Sequence, residues 1–268
     1  MSIDPKKQRK IIVFNGMPLG TSKQQNQHQA ITELVNSRLG NLPLDFATEM
    51  FRCANLGAEA QRIFRDVCST VMQTPVGTML PNAITDVLED LVNSSDSNST
   101  AHIIRQTLKA QIMDLYSSGH PCYLVAHSLG SIYAFDVINE MIRDDQTLFC
   151  RHSRKTWPVQ GLITLGSPIG LGLFNRGFRS KVASFGEGEK WFRWLNLWDR
   201  IDPVVSGNIF GYHLPGYDIA EHYQSGDLHQ GWAIRDKIVD SGKSWLQAHV
   251  AYWDNPAVGD SLAEMLVS

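Results

Sequence analysis

The sequence predicts a doubly wound α/β fold built on a mostly parallel sheet, and three observations carry that expectation. Short apolar runs rich in β-branched and aromatic residues recur along the chain. Segments with apolar residues at helical spacing separate them, as parallel strands require, because each connection must cross back over the sheet. Finally, 268 residues, 43% of them hydrophobic and 19% charged, suffice for one such domain over 1–268.

The elements follow in order. Lys10-Ile11-Ile12-Val13-Phe14 reads as a buried strand that stops at Asn15-Gly16. Residues 24–39 read as a helix with Ile31, Leu34, Val35 and Leu39 on one face and Gly40 as its stop. An extended segment is expected over 44–51 and a helix over 58–71. Residues 74–82, with two prolines and a glycine, and the polar stretch 93–100 read as loops, and Ile84, Val87, Leu88 and Leu91 mark a helix between them. Thr100 offers an N-cap to a helix carrying Ile104, Leu108, Ile112 and Leu115 and ending near Gly119.

Cys122-Tyr123-Leu124-Val125-Ala126 reads as a strand that runs into an apolar helix over 129–143. Residues 161–165 form another strand, broken by Gly166-Ser167-Pro168. Residues 191–198 alternate as a strand does and halt at Asp199-Arg200-Ile201-Asp202-Pro203. The stretch 203–230, rich in Gly, Tyr, His and Pro, reads as an irregular excursion, and Tyr212, His213, Tyr217, His222 and Tyr223 mark it as a lid or pocket wall. A last strand is expected over 234–239, followed by 245–252.

Composition narrows the function classes. The net charge is −3, and the one basic cluster, Lys6, Lys7, Arg9 and Lys10, reads as a solvated terminus, so no nucleic-acid partner is expected. No run approaches ~18 uninterrupted apolar residues, so no stable membrane insertion is expected, and the polar first ten residues show no signal-peptide pattern. The expected location is the cytoplasm. Cys53, Cys68, Cys122 and Cys150 lack Cys-x-x-Cys pairing and read as reduced thiols. No metal-ligand spacing or phosphate-binding glycine loop stands out, so no metal or cofactor is expected. Trp191, Phe192, Trp194 and Trp198 read as core packing rather than as a sugar- or lipid-binding stripe.

The chemistry concentrates at Ala126-His127-Ser128-Leu129-Gly130. A strand that enters a helix through a small-x-Ser-x-Gly turn lifts the serine hydroxyl above the carboxyl ends of the strands, and crowding there demands small residues two before and two after. Ala126 and Gly130 meet that demand. The helix that begins at Leu129 points its N-terminus at the hydroxyl, which favours a developing oxyanion. His127 sits beside the serine but faces the wrong way for a general base, and reads as a packed, hydrogen-bonded histidine.

This segment, continued by Ser131, resembles the His-Ser-Leu-Gly elbow of lipase and esterase relatives in the α/β-hydrolase superfamily. Leu165-Gly166-Ser167-Pro168 is similar to the Gly-Ser-Pro segment after their following strand. Asn196-Leu197-Trp198-Asp199-Arg200-Ile201-Asp202-Pro203-Val204 resembles their acid-bearing loop, and His249-Val250-Ala251-Tyr252-Trp253 their His-x-x-Tyr-Trp segment. The resemblance runs from about residue 11 to 258 and is thin over 44–78 and 205–230.

It implies a triad of Ser128 as nucleophile, Asp202 as acid and His249 as base, in the chain order serine, acid, histidine. Asp199, three residues before Asp202, is the rival acid and reads more readily as a loop-shaping residue. His213, His222 and His229 are the rival bases and read as lid histidines. For the oxyanion hole, one backbone N–H is expected from Leu129, and the resemblance places the second at Met17, in a turn where Asn15 stands in place of a frequent histidine. The expected function is a serine hydrolase that cleaves ester-type, lipid-like or activated small-molecule substrates through an acyl-enzyme. The alternatives are an acyltransferase using the same triad and a binding module that has lost chemistry.

Overall fold

A computed structural model describes residues 2–16, 27–51, 100–144, 157–167, 193–202, 205 and 234–268. Within them six strands form one sheet: β1 (Arg9–Asn15), β2 (Phe46–Met50), β3 (Cys122–His127), β4 (Val159–Leu165), β5 (Arg193–Trp198) and β6 (Ile234–Ile238). Their order is β2-β1-β3-β4-β5-β6, and every adjacent pair is parallel. The helices are α1 (Gln27–Leu39), α2 (Thr100–Ser117), α3 (Leu129–Asp144), α4 (Trp245–Ala248) and α5 (Pro256–Val267).

The central strands are apolar without alternation because both faces of the sheet are covered. Ile11, Val13, Tyr123, Val125, Ile163, Leu165 and Leu197 point to one face, where they cluster with Ile31 and Val35 of α1 and Val258, Leu262 and Leu266 of α5. The residues between them, among them Phe14, Leu124 and Leu162, point to the opposite face under α2 and α3. There Phe14 packs on Tyr133 and Trp194 on Phe135, with ring centroids 5.9 and 5.4 Å apart. Trp194 and Trp198 are buried, as core packing requires.

Two elements depart from the sequence pattern. β4 begins at Val159, earlier than the apolar run suggests, and the buried Gln160 within it donates its Nε2 to the Trp157 carbonyl at 2.6 Å. Helix α5 was not expected, although its start is written in the chain. Asn255 caps it by accepting from the Ala257 N–H at 2.9 Å, and Pro256 occupies the first turn. It lies close on α1: a Cβ at Gly259 would stand 2.8 Å from the Leu34 carbonyl oxygen. The helices expected over 58–71 and 84–91 and the excursion 203–230 lie outside the described residues, apart from Val205.

The strand order reverses at β1, with β2 on one side and β3 on the other. In open parallel sheets the crevice at such a switch point, beyond the carboxyl ends of the strands, is where ligands bind. Gly16 follows β1 there and Ser128 follows β3. No helix among the described residues is long and apolar enough to cross a membrane.

Candidate active site

Ser128 is the one described non-glycine residue with a left-handed backbone, at φ 54°. For a residue with a Cβ this conformation costs roughly 1–2 kcal/mol, so its surroundings must impose it. They do so through backbone crowding. The Ser128 N–H donates to the Leu165 carbonyl at 3.0 Å, extending the β3–β4 ladder, while the Ser128 carbonyl already accepts from the Ser131 N–H at 3.0 Å in the first turn of α3. The chain has a single residue in which to turn from strand to helix. A Cβ at Gly130 would stand 2.6 Å from the Phe14 carbonyl oxygen, and one at Gly16 only 2.1 Å from the Gly130 nitrogen. Neither backbone can yield, so glycine is obligatory at both positions.

His249 comes from the opposite direction, at the C-cap of the four-residue helix α4. Its Nε2 lies 3.0 Å from Ser128 Oγ, and its Nδ1 lies 2.9 and 3.0 Å from the two oxygens of Asp202. Asp202 is fully buried, and Ser128 and His249 are almost so. A carboxylate only accepts, so Nδ1 carries the hydrogen and Nε2 is left to accept from the serine hydroxyl. A strained serine between a parallel strand and a helix, followed in the chain by the acid and then the histidine that meet it, is the arrangement that defines one architecture. The fold is that of the α/β hydrolases.

No protein-family model matches the chain, and no curated protein matches it either. Among solved structures it is similar to ATU1826, a protein of unknown function from Agrobacterium tumefaciens provisionally described as an alpha/beta hydrolase. The identity is 10%, over 100% of this chain and 90% of that one, with a TM-score of 0.45. It is also similar to TT1662 from Thermus thermophilus, with 13% identity over 99% of this chain and 92% of that one and a TM-score of 0.49.

The α/β-hydrolase arrangement also depends on residues to which the sequence reading gave no role, although Ser131, Gly166, Ser167 and Tyr252 all lie in the segments that carry the resemblance. Tyr252 donates its hydroxyl to Asp202 Oδ2 at 2.7 Å and accepts from the Asp199 N–H at 2.9 Å. Burial, with Asp202 alongside, pushes its phenol well above the usual tyrosine range, so it stays a donor. Gly166 has φ 53°, and a Cβ there would stand 2.8 Å from Asp202 Oδ2 and 3.1 Å from His249 Nδ1. Glycine at the end of β4 therefore leaves room for the acid–histidine pair. Ser131 and Ser167, both buried, join their hydroxyls at 2.7 Å beneath the serine turn.

Asp199 does what a loop-shaping residue does. Its carboxylate accepts from the Ile201 and Ser241 N–H groups at 3.0 and 2.8 Å, tying the end of β5 to the loop after β6. His127 does not bond Ser128; its ring is fully buried and bonded at both nitrogens elsewhere. Leu129 opens α3, where the first N–H groups have no intrahelical acceptor. Met17, His213, His222 and His229 lie outside the described residues. Among the described residues no group of three or more His, Cys, Asp and Glu could hold a metal ion. Cys122 is buried at the far end of β3, and burial, aided by Glu49, pushes its thiol well above the usual range.

Proposed function

We propose that this chain is a serine hydrolase that cleaves ester-type bonds through an acyl-enzyme. One observation carries the reading: the unbroken, buried hydrogen-bond chain from Ser128 Oγ through His249 to Asp202. A serine hydroxyl has no useful nucleophilicity near neutral pH unless a base takes its proton as it attacks.

In this reading Ser128 Oγ adds to the ester carbonyl carbon while its proton passes to His249 Nε2. The carbonyl π bond opens, and the oxyanion is met by the Leu129 N–H at the positive end of α3 and, by the resemblance, by the Met17 N–H. The oxyanion collapses, the alcohol leaves with the proton from His249, and the acyl group stays on Ser128. Water then attacks the acyl-enzyme, gives its proton to His249, and the acid departs as Ser128 recovers its proton. Asp202 stays ionised throughout and stabilises the imidazolium that forms twice per turnover. Substrates are activated or lipid-like esters.

The test is labelling with a fluorophosphonate, with the modified peptide identified by mass spectrometry, alongside turnover of a short-chain nitrophenyl ester. Label on Ser128 and loss of ester turnover in proportion to labelling are expected. An unlabelled protein with no ester turnover would sink the reading, and label on another serine would move the site.

A further inference from the structure

His127 is fully buried beside the nucleophile, and neither nitrogen of its ring touches Ser128. Nε2 lies 2.6 Å from the backbone carbonyl oxygen of His249, and Nδ1 lies 2.9 Å from Asn15 Oδ1. A backbone carbonyl can only accept, so Nε2 carries a hydrogen and donates it. The ring is neutral, since burial first and the neighbouring His249 second push its pKa down to about 3. Nδ1 therefore accepts, and the Asn15 carboxamide must turn its NH2 toward it, an orientation that the hydrogen-bond network decides. The strand register brings this pair together: Asn15 and His127 are Cα partners at the ends of β1 and β3.

We propose that His127 is a positioning residue for His249: its Nε2–H clamps the backbone carbonyl of the base and fixes the base relative to the nucleophile. The proposal rests on the serine-hydrolase reading above. Helix α4 has only four residues, and a helix that short has no stability of its own. His249 is its C-cap, so its carbonyl is among those without an intrahelical donor, and His127 supplies one. The result is a closed ring of constraint. Ser128 is covalently joined to His127, His127 holds the His249 main chain, and the His249 ring reaches back to Ser128 Oγ at 3.0 Å. A displacement of the histidine loop against the serine turn must break a short, dry hydrogen bond.

The neutral state matters as much as the bond. The two imidazoles lie with centroids 4.7 Å apart, and His249 becomes a cation as Ser128 attacks. A charged His127 would oppose that step, whereas a neutral one donates to the main chain without repelling it.

The test compares three substitutions. Glutamine carries its terminal nitrogen where Nε2 stands and can still reach the His249 carbonyl. Asparagine reaches only as far as Nδ1. Phenylalanine keeps a ring against Tyr252 and Trp253, whose centroids lie 5.8 and 5.2 Å from that of His127, and removes both nitrogens. Ester kcat per fluorophosphonate-titrated site and KM are measured for each. His127→Asn and His127→Phe should lose about 10- to 100-fold in kcat per titrated site, the scale of a small misplacement. KM should move by no more than about twofold, since the substrate is not touched. His127→Gln should restore kcat to within about threefold of wild type. A purely structural histidine would lower the folded, titratable fraction and leave kcat per site unchanged. Either that result, or His127→Gln as slow as His127→Phe, overturns the clamp. A wild-type protein that never labels overturns the hydrolase reading and the clamp together, while a labelling wild type with three indistinguishable variants overturns the clamp alone.

Discussion

The two halves of the candidate site are fixed by different physics. The serine half is set by the main chain: φ 54° at Ser128, glycine at 16 and 130, and backbone atoms that would stand 2.1–2.6 Å from any added methyl group. The acid–histidine half is set by side chains. Asp202 is held by Tyr252, Tyr252 by the Asp199 main chain, and His249 by Asp202 and, at its carbonyl, His127. Main-chain crowding is all or nothing and admits no gradual loss. A side-chain network can be loosened one bond at a time, so substitutions should be graded on the acid–histidine side and abrupt on the serine side.

The sharpest contrast comes from Ser128→Ala, which removes the proposed nucleophile and leaves the turn in place. Ester kcat should fall by roughly 10⁶-fold, the scale seen when a triad serine is lost elsewhere, while circular dichroism stays that of the wild type. Next comes the acid. Asp202→Asn should lower kcat by about 10⁴-fold, since an amide cannot hold the histidine in the required tautomer. Asp199→Asn should instead chiefly lower the unfolding midpoint, because its partners are the N–H groups of Ile201 and Ser241. If Asp199→Asn is the crippled enzyme and Asp202→Asn turns over normally, the division of labour in this loop is reversed.

Mild acid should expose the side-chain half through stability. The unfolded chain takes a proton on the His127 ring near pH 6.5, whereas the folded ring stays neutral down to about 3. The unfolded state thus binds more protons across that window, and stability falls as pH drops through it, at about 1.4 kcal/mol per pH unit for one such group. Urea titrations at pH 6.5 and pH 5 should show the wild type losing about 1.7 kcal/mol more than His127→Gln; parallel losses would mean that this imidazole is not kept neutral. Tyr252→Phe removes one hydrogen bond from Asp202 and should cost about tenfold in kcat, some 1.4 kcal/mol, near the lower end for a bond to a charged group. An unchanged kcat would mean that the carboxylate is held in place without the Tyr252 hydroxyl. The smallest effect concerns strain: Ser128→Gly should unfold at higher denaturant than Ser128→Ala, by about 1 kcal/mol, because only glycine is relaxed at positive φ. Equal midpoints would mean that the turn stores no strain.

The serine half was legible in the sequence because it is local. Strand, turn and helix are contiguous from residue 122 to 143, and the small residues around Ser128 state the crowding directly. Asp202 and His249 were legible as a pair only through their likeness to a known pattern, since nothing local distinguishes Asp202 from Asp199. What separates them is the reach of Tyr252, set by a contact 50 positions away in the chain. The Asn15–His127 pair was out of reach for the same reason: opposition across β1 and β3 follows from register, which apolar periodicity leaves open. Helix α5 is the opposite case, because Asn255-Pro256 and the spacing of Val258, Leu262, Met265 and Leu266 are a readable start and face.

The left-handed backbone at Ser128 has a consequence for the history of the chain. A lineage selected only for resistance to unfolding would drift toward glycine at this position, since that single change relaxes the turn and disturbs no core residue. Serine at this position therefore carries a stability cost that glycine would not. Glycine at the turn would relieve that cost and lose the hydroxyl, so stability and a reactive serine pull this one position in opposite directions.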